Sequence, residues 1–211
     1  YSSTATISVL ARKSRKASEL EATDYVAAML LAVSMMFLRF MILILIFSRE
    51  IFLSIYPYLL TMAVVAAIVA WFIHSRQKRS NDQPVEEEED DSSNPLEFKV
   101  ALIFAVLFVI FTFLTHYTLV YAGTGGLNLL SFVSGFSDIT PFILNLLQNT
   151  GSVAALIITA CSMQAIISNI MVNMFYALFF AGKGSKLRPW ILGGFGVVIT
   201  CNLVLLLFFY I

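Results

Sequence analysis

Charged side chains are almost missing from two long stretches of this sequence. Between residues 100 and 182 the single Asp, Glu, Lys or Arg is Asp138, and between residues 25 and 47 it is Arg39. Only 12% of the 211 residues are charged, whereas 59% are hydrophobic; a soluble domain carries about 25% charged residues. Segments of this length stay uncharged inside a lipid bilayer but not in water. The missing charge therefore excludes an ordinary soluble domain and predicts an integral membrane protein.

The sequence also has few cysteines and no net charge. The two cysteines, Cys161 and Cys201, lie in apolar segments, so they are expected to be small buried hydrophobes without a disulfide framework. The formal net charge is zero, which gives no case for a nucleic acid partner. The sequence offers no nucleophile–base pair, phosphate-binding loop or metal-ligand cluster. We therefore expect no enzyme activity, no metal and no cofactor.

The sequence is rich in apolar stretches of about 20 residues, the length that a helix needs to cross the hydrocarbon of a bilayer. Five transmembrane helices are predicted, over residues 24–47, 51–73, 100–122, 152–181 and 189–211. A further apolar segment, 126–148, is interrupted by polar residues and a proline. Because Ser and Asp are good N-caps and Pro is tolerated in a first turn, we expect a helix over 127–134 and another starting near Ser137 or Asp138. The predicted fold is all-α, with about five transmembrane helices and one or two broken or re-entrant helices.

Positive charges predict the orientation of these helices, because Lys and Arg mark the cytoplasmic side of a membrane. They cluster at 12–16, 76–79 and 183–188. If all three clusters are cytoplasmic, segment 126–148 enters and leaves on the outer face; if it crosses fully, the last cluster lies outside. We expect the re-entrant form. The cytoplasmic loop 75–98 contains an acidic run, 86–91, which is expected to be solvated and disordered; a trap for divalent cations is the alternative.

Residues 1–6 resemble residues 136–141, which points to an internal repeat. Each stretch precedes a short helix, then a long span with a Ser-Met pair (at 34–35 and 162–163), then one more span. In the orientation above the two copies run in opposite directions, and inverted repeats with broken helices are a transporter architecture. The predicted organisation is one polytopic domain, 1–211, with repeat-like halves 1–74 and 99–211.

Asp138 and Arg39 are the strongest candidates for a functional site, since a charge at the bilayer centre costs about 2.5–3.5 kcal/mol or more. Asp138 is either the cap or surface loop residue of a half-helix, or an ion site, proton site or gate. Arg39 either extends to the outer interface or needs a counter-ion. We expect it to pair with Asp138, directly or through water; an anion held by Arg39 and the half-helix N-termini is the alternative.

Uncharged polar residues complete the candidate pathway. Ser137 and Thr140 flank Asp138, and the span 152–181 carries a polar stripe of Ser162, Gln164, Ser168, Asn169 and Asn173. This stripe either lines a pathway or forms hydrogen bonds between helices. A small face on the last span, made by Gly193, Gly194 and Gly196, is expected to serve close helix packing.

Several short motifs resemble a family of membrane domains of unknown function that follow an MgtC/SapB-type domain in many bacterial inner-membrane proteins. The matching stretches are 2–6, 11–15, 32–39, 94–98 and 134–139. The resemblance implies a multi-pass protein of the bacterial inner membrane, excised from a longer chain with an N-terminal MgtC/SapB-type domain. It also implies a link to magnesium or acid-stress physiology. In that family a second acid often follows the stretch matching Asp138; Thr140 stands there instead, which disfavours metal binding.

Two functions are compatible with these residues. The first is a transporter-like or channel-like domain for a small ion or solute, with the polar residues named above lining its pathway. The second is a non-transporting membrane module that regulates a partner membrane protein. The expected partners are the lipid bilayer and the MgtC/SapB-type domain of the same polypeptide, and assembly with further copies of the chain stays open.

Overall fold

In the computed structural model, the residues described are 3–14, 19–75, 95–149, 153–182, 185 and 187–210. Within these ranges the chain forms eight α-helices and no β-strand. They are α1 (Ser3–Lys13), α2 (Glu19–Phe47), α3 (Arg49–Ser75), α4 (Pro95–Tyr121), α5 (Gly123–Ser134), α6 (Ile139–Gln148), α7 (Ala155–Ala181) and α8 (Arg188–Tyr210). The predicted all-α fold is confirmed. The acidic run 86–91, the cluster 76–79 and part of the other two positive clusters lie outside the described residues.

Four helices, α2, α3, α7 and α8, are long and apolar enough to cross a membrane. A helix suits this environment because it satisfies its backbone hydrogen bonds internally. The predicted span 100–122 falls within α4, which is 27 residues long but whose described apolar part, Ala105–Tyr121, is shorter than the other four. The structure therefore supports a multi-pass membrane protein, and the number of five spans stays a prediction.

The helices α2 and α3 form a long hairpin. Ser48 separates them, and its hydroxyl caps the first turn of α3. At the other end of the hairpin, His74 Nδ1 lies 2.8 Å from Asp24 Oδ1. Between these ends, Ser34 Oγ donates a hydrogen bond to the Ala63 carbonyl at 2.9 Å. The hairpin is thus joined at its turn, in its middle and at its open end.

The central helix of the bundle is α7. It contacts α1, α3, α5, α6 and α8, and most of it is buried, whereas less than half of α2, α3 or α8 is buried. Five of its polar side chains are buried as well: Thr159, Ser162, Ser168, Asn169 and Asn173. Because burial in apolar surroundings is costly for a polar group without a hydrogen bond, the partners of these residues decide what α7 does.

The short helices α5 and α6 form a hairpin beside α7. Gly123, with φ +57°, lies in the left-handed region where α4 gives way to α5. Four contacts follow the same order along α5 and α7: Asn128 with Cys161, Ser131 with Gln164, Phe132 with Ser168, and Gly135 with Asn169. The helices α5 and α7 therefore run parallel and start at the same end of the bundle.

The direction of α6 follows from the length of its connection to α7. If α6 continued in the direction of α5, its end would lie about 35 Å from the start of α7, at 1.5 Å per helical residue. The seven residue steps from Gln148 to Ala155 span at most about 25 Å. The chain therefore turns back between α5 and α6, and the hairpin enters and leaves at one end of the bundle.

Candidate functional site

The backbone break between α5 and α6 lies against the middle of α7. The amide of Asn169 donates from Nδ2 to the carbonyls of Gly135, at 3.2 Å, and Ser137, at 3.5 Å. A Cβ at Gly135 would lie 2.3 Å from Ser168 Oγ and 2.7 Å from the Asn169 backbone nitrogen. Only glycine permits this approach, and the approach lets α7 satisfy backbone carbonyls that the interrupted helix leaves open.

Asp138 is the N-cap of α6, as its position in the sequence predicted. Its Oδ1 accepts hydrogen bonds from the Thr140 backbone N–H, at 3.0 Å, and from Thr140 Oγ1, at 2.7 Å. A carboxylate at this position also interacts favourably with the positive end of the helix dipole. The contacts of Asp138 are therefore those of a helix cap. Its role as an ion site, proton site or gate stays a prediction.

Arg39 reaches the same place from α2, but its partner differs from the one expected. Its Nη2 donates to Thr140 Oγ1 at 3.1 Å, and its guanidinium lies 5.1 Å from the centre of the Phe40 ring. Arg39 and Asp138 do not form a direct ion pair; the Thr140 hydroxyl lies between them and bonds to both. The physical reason is the cap, because the Asp138 carboxylate is turned toward the first turn of its own helix. The other form of the prediction, a pair through water, stays a prediction.

The exposure of these residues is uneven. Arg39 and Ser137 are exposed on the surface of the chain, while Asp138 and Thr140 are half-buried. Asn169, which holds the break, lies 14 residues from the start of α7 and 12 from its end. The polar surface around the break is therefore near the middle of a helix long enough to cross a membrane.

The predicted polar stripe on α7 divides into two groups. Three members bond to the α5 side: Gln164 accepts from Ser131 Oγ at 2.9 Å, Ser168 Oγ donates to the Phe132 carbonyl at 2.6 Å, and Asn169 bonds to the break. These contacts agree with the interpretation as hydrogen bonds between helices.

The other two members, Ser162 and Asn173, each have a buried atom without a partner. They are Ser162 Oγ and Asn173 Oδ1, and both residues are fully buried. Asn173 uses its Nδ2 to donate to Asn169 Oδ1 at 3.2 Å. A buried polar atom without a hydrogen bond costs about 1–3 kcal/mol, and the contacts between helices give these two atoms no partner.

The N-terminus of α1 also lies near the middle of α7. The guanidinium of Arg12, in the last turn of α1, lies 4.4 Å from the centre of the Phe180 ring, in the last turn of α7. Since α1 contacts α7, the nine residue steps from Ser3 to Arg12 place its start about 14 Å back along α7, near residue 171. Two short helices thus begin near the same level of α7, and the two sequence stretches compared above, 1–6 and 136–141, include these starts.

Two further polar contacts, one near this site and one at the far side of the bundle, were not predicted from the sequence. Asn145, buried in α6, donates from Nδ2 to Thr112 Oγ1 of α4 at 2.8 Å. Tyr58 of α3 donates to Asn202 Oδ1 of α8. An amide inside the apolar helix α6 is the signal that could have identified Asn145; a tyrosine in an apolar span gives no comparable signal. Among the described residues, no group of three His, Cys, Asp or Glu could hold a metal ion.

Comparisons with known proteins give a family. The family described as Domain of unknown function (DUF4010) matches residues 1–181, and the chain belongs to it. An uncharacterized protein of Aquifex aeolicus (strain VF5) is 25% identical over 207 residues, which cover 97% of this chain and 88% of that protein. No solved structure matches the chain. The resemblance to a domain of unknown function is confirmed, and the MgtC/SapB-type N-terminal partner stays a prediction.

Proposed function

We propose that this chain is a transporter-like or channel-like membrane domain that moves a small ion or solute past the break between α5 and α6. The break carries the proposal because it is partly exposed and lies at the middle of the central helix. Non-helical backbone at membrane depth is tolerated only where it is buried in protein or lines a water-filled cavity. The exposed Ser137 and Arg39 favour a cavity with water over contact with lipid.

The proposed topology has five membrane crossings, α2, α3, α4, α7 and α8. With the Lys and Arg clusters in the cytoplasm, α5 and α6 form a re-entrant hairpin from the outer face, and α1 is a half-helix on the inner face. The parallel course of α5 and α7 and the short connection to α7 support the hairpin. The proposed location is the bacterial inner membrane.

The contacts between helices support an inverted repeat of α1–α3 and α6–α8. Among the described residues, α1 contacts α2 and α7, while α6 contacts α7 and α2. Likewise α2 contacts α3 and α8, while α7 contacts α8 and α3. Exchanging α1 with α6, α2 with α7 and α3 with α8 therefore leaves the pattern unchanged. A twofold axis in the membrane plane produces such a pattern and brings two half-helix N-termini to the midplane, as in secondary transporters.

In the proposed mechanism the α5–α6 hairpin moves with α7, because hydrogen bonds along α5 hold the two together. Among the described residues, Arg39–Thr140 is the hydrogen bond that joins α2 to α6, and it lies on an exposed surface. Its breaking would let α2 separate from α6 and open the site. The proposed pathway residues are those predicted from the sequence: Arg39, Ser137, Asp138, Thr140, Ser162, Gln164, Ser168, Asn169 and Asn173.

The test is flux through the purified chain in proteoliposomes, with Na⁺, K⁺, NH₄⁺, H⁺ and Cl⁻ each followed separately. Asp138→Asn should abolish the flux, because it removes the charge near the break. The fold should survive, because Asn is also a good N-cap. The matched control is Asp24→Asn, which changes a carboxylate at the end of the α2–α3 hairpin. Wild-type flux in Asp138→Asn, or no flux of any of these solutes through the wild-type chain, would contradict the proposal.

The alternative function, a module that regulates a partner membrane protein, is favoured by the surface of α8. A Cβ added at Gly193 or Gly196 would meet nothing within 4 Å, whereas one at Gly194 would lie 2.8 Å from Leu30 Cδ1. Small residues on an unoccupied face permit close approach of another helix in a membrane. Gly193→Val should then abolish association with the partner without unfolding the chain. Unchanged flux in the same variant would favour transport.

A further inference from the structure

The orientation of two amides on α7 follows from their partners. The carbonyl oxygens of Gly135 and Ser137 can only accept, so Asn169 must direct Nδ2 toward them and Oδ1 away. Asn173 must then donate its own Nδ2 to Asn169 Oδ1, at 3.2 Å. The free atom at the end of this chain of hydrogen bonds is therefore an acceptor, Asn173 Oδ1, and the usual ambiguity between amide oxygen and nitrogen does not apply.

The free acceptor is sealed inside the bundle. Asn173 is fully buried, and its Oδ1 has no hydrogen-bond partner. It lies one turn, about 6 Å, along α7 from Asn169, on the side of the break away from the start of α7. An anion without a proton, such as chloride, has nothing to donate to this oxygen, whereas a metal cation or an ammonium group can bind to it directly.

The charges around the break favour the same sign of ligand. Asp138 occupies the place at the N-terminus of α6 where an anion would otherwise bind, and it is half-buried. Arg39 is exposed, so water and counter-ions screen its charge more strongly. The N-terminus of α1 repels a cation, because the helix dipole places about half a positive elementary charge there. This charge is smaller than the full negative charge of the Asp138 carboxylate.

We infer that the site on α7 takes a small monovalent cation, an alkali metal ion or ammonium, which binds Asn173 Oδ1 when the helices around α7 separate. This inference rests on the proposed function and names its substrate class. A divalent cation is disfavoured, because such ions recruit several carboxylates and the described residues contain no group of three acidic, His or Cys side chains that could hold a metal. The unpartnered oxygen marks the position that the ion fills.

The test is thermal unfolding of the purified chain in detergent at constant ionic strength, with choline chloride replaced stepwise by NaCl, KCl or NH₄Cl. A ligand that binds only the folded state raises the melting temperature in a saturable way. We expect such a rise with at least one of the three cations. Exchanging the anion, chloride for gluconate, should not change the melting temperature. Asn173→Leu should abolish the rise, and Asn173→Asp should lower the Kd about tenfold, because it adds a negative charge beside the ion.

The matched control is Asn202→Leu, which removes a buried amide from the interface of α3 and α8 and should keep the rise. If Asn173→Leu does not fold, the Kd of the cation for Asn173→Asp tests the inference. The inference is overturned if none of the three cations stabilises the chain, if an anion does, or if Asn173→Asp leaves the Kd unchanged. Anion flux in proteoliposomes would overturn this inference and leave the proposed function standing. Cation binding without flux would support this inference and contradict the proposed function.

Discussion

The contact between Gly135 and α7 gives the most quantitative prediction, because one methyl group tests it. In Gly135→Ala the new Cβ would start 2.3 Å from Ser168 Oγ, 2.4 Å from Ser168 Cβ and 2.7 Å from the Asn169 backbone nitrogen. An ordinary contact begins near 3.4 Å, so the end of α5 must retreat by about 1 Å. Two of the three obstacles, the Cβ and the backbone nitrogen, cannot rotate away.

The cost has two parts. Inserting a methyl group into a packed contact costs about 1–3 kcal/mol. The retreat also lengthens the hydrogen bonds of Ser168 to Phe132 and of Asn169 to Gly135, and such bonds between membrane helices contribute about 0.6 kcal/mol each on average. We therefore expect Gly135→Ala to lower the free energy of unfolding by about 2–4 kcal/mol.

The assay is reversible unfolding in mixed micelles, with Gly125→Ala as the control in the same helix. A Cβ at Gly125 would meet nothing within 4 Å, and replacing a helical Gly by Ala gains about 0.5–1 kcal/mol. Adding Ser168→Gly to Gly135→Ala should recover part of the loss, while Ser168→Ala should not, because it keeps the Cβ. The reasoning fails if Gly135→Ala is as stable as Gly125→Ala.

Three further predictions concern the α5–α6 hairpin, the Thr140 hydroxyl and the contact between Tyr58 and Asn202. In a chain without its native cysteines, Gly125→Cys and Gln148→Cys should react with an impermeant thiol reagent from the same side of the membrane; reaction from opposite sides would disprove the re-entrant hairpin. Thr140→Val removes the hydroxyl that holds α2 to α6, so it should favour the open site and raise flux by about fivefold, while Thr140→Ser should keep the wild-type flux; equal flux in both would show that the hydroxyl is not needed. A double-mutant cycle of Tyr58→Phe and Asn202→Leu should give a coupling of about 0.5–1.7 kcal/mol in unfolding experiments; additive effects would show that the two side chains do not interact.

Local patterns in the sequence were sufficient for the helices and for the break. The loss of charge over long stretches predicted apolar helices, and a Ser-Asp pair before Pro141 predicted a helix start that the structure places at Asp138 and Ile139. These features depend on residues within one or two turns, such as a cap and its N–H partner. The same is true of the polar stripe on α7, whose period is visible in the sequence.

Partners distant in the sequence could not be predicted in this way. Arg39 lies 101 residues before Thr140. That Arg39 bonds to Thr140 and not to Asp138 depends on the Asp138 carboxylate pointing toward the first turn of α6. The bond from Asn145 to Thr112 depends on which helix lies beside α6, a matter of packing that neither segment encodes alone. The central place of α7 is likewise a property of the whole bundle, since it depends on which helices pack around it.

The most direct test of the account is the reaction of Ser137→Cys with a membrane-impermeant methanethiosulfonate, in a chain without its native cysteines. Ser137 is exposed at the break, and Met35→Cys is the depth-matched control, because Met35 is 64% exposed at the midpoint of the span Thr23–Phe47. Water at the break predicts rapid reaction at position 137 and none at position 35. If both positions stay unmodified, no aqueous path reaches the break, and the chain does not conduct a solute there.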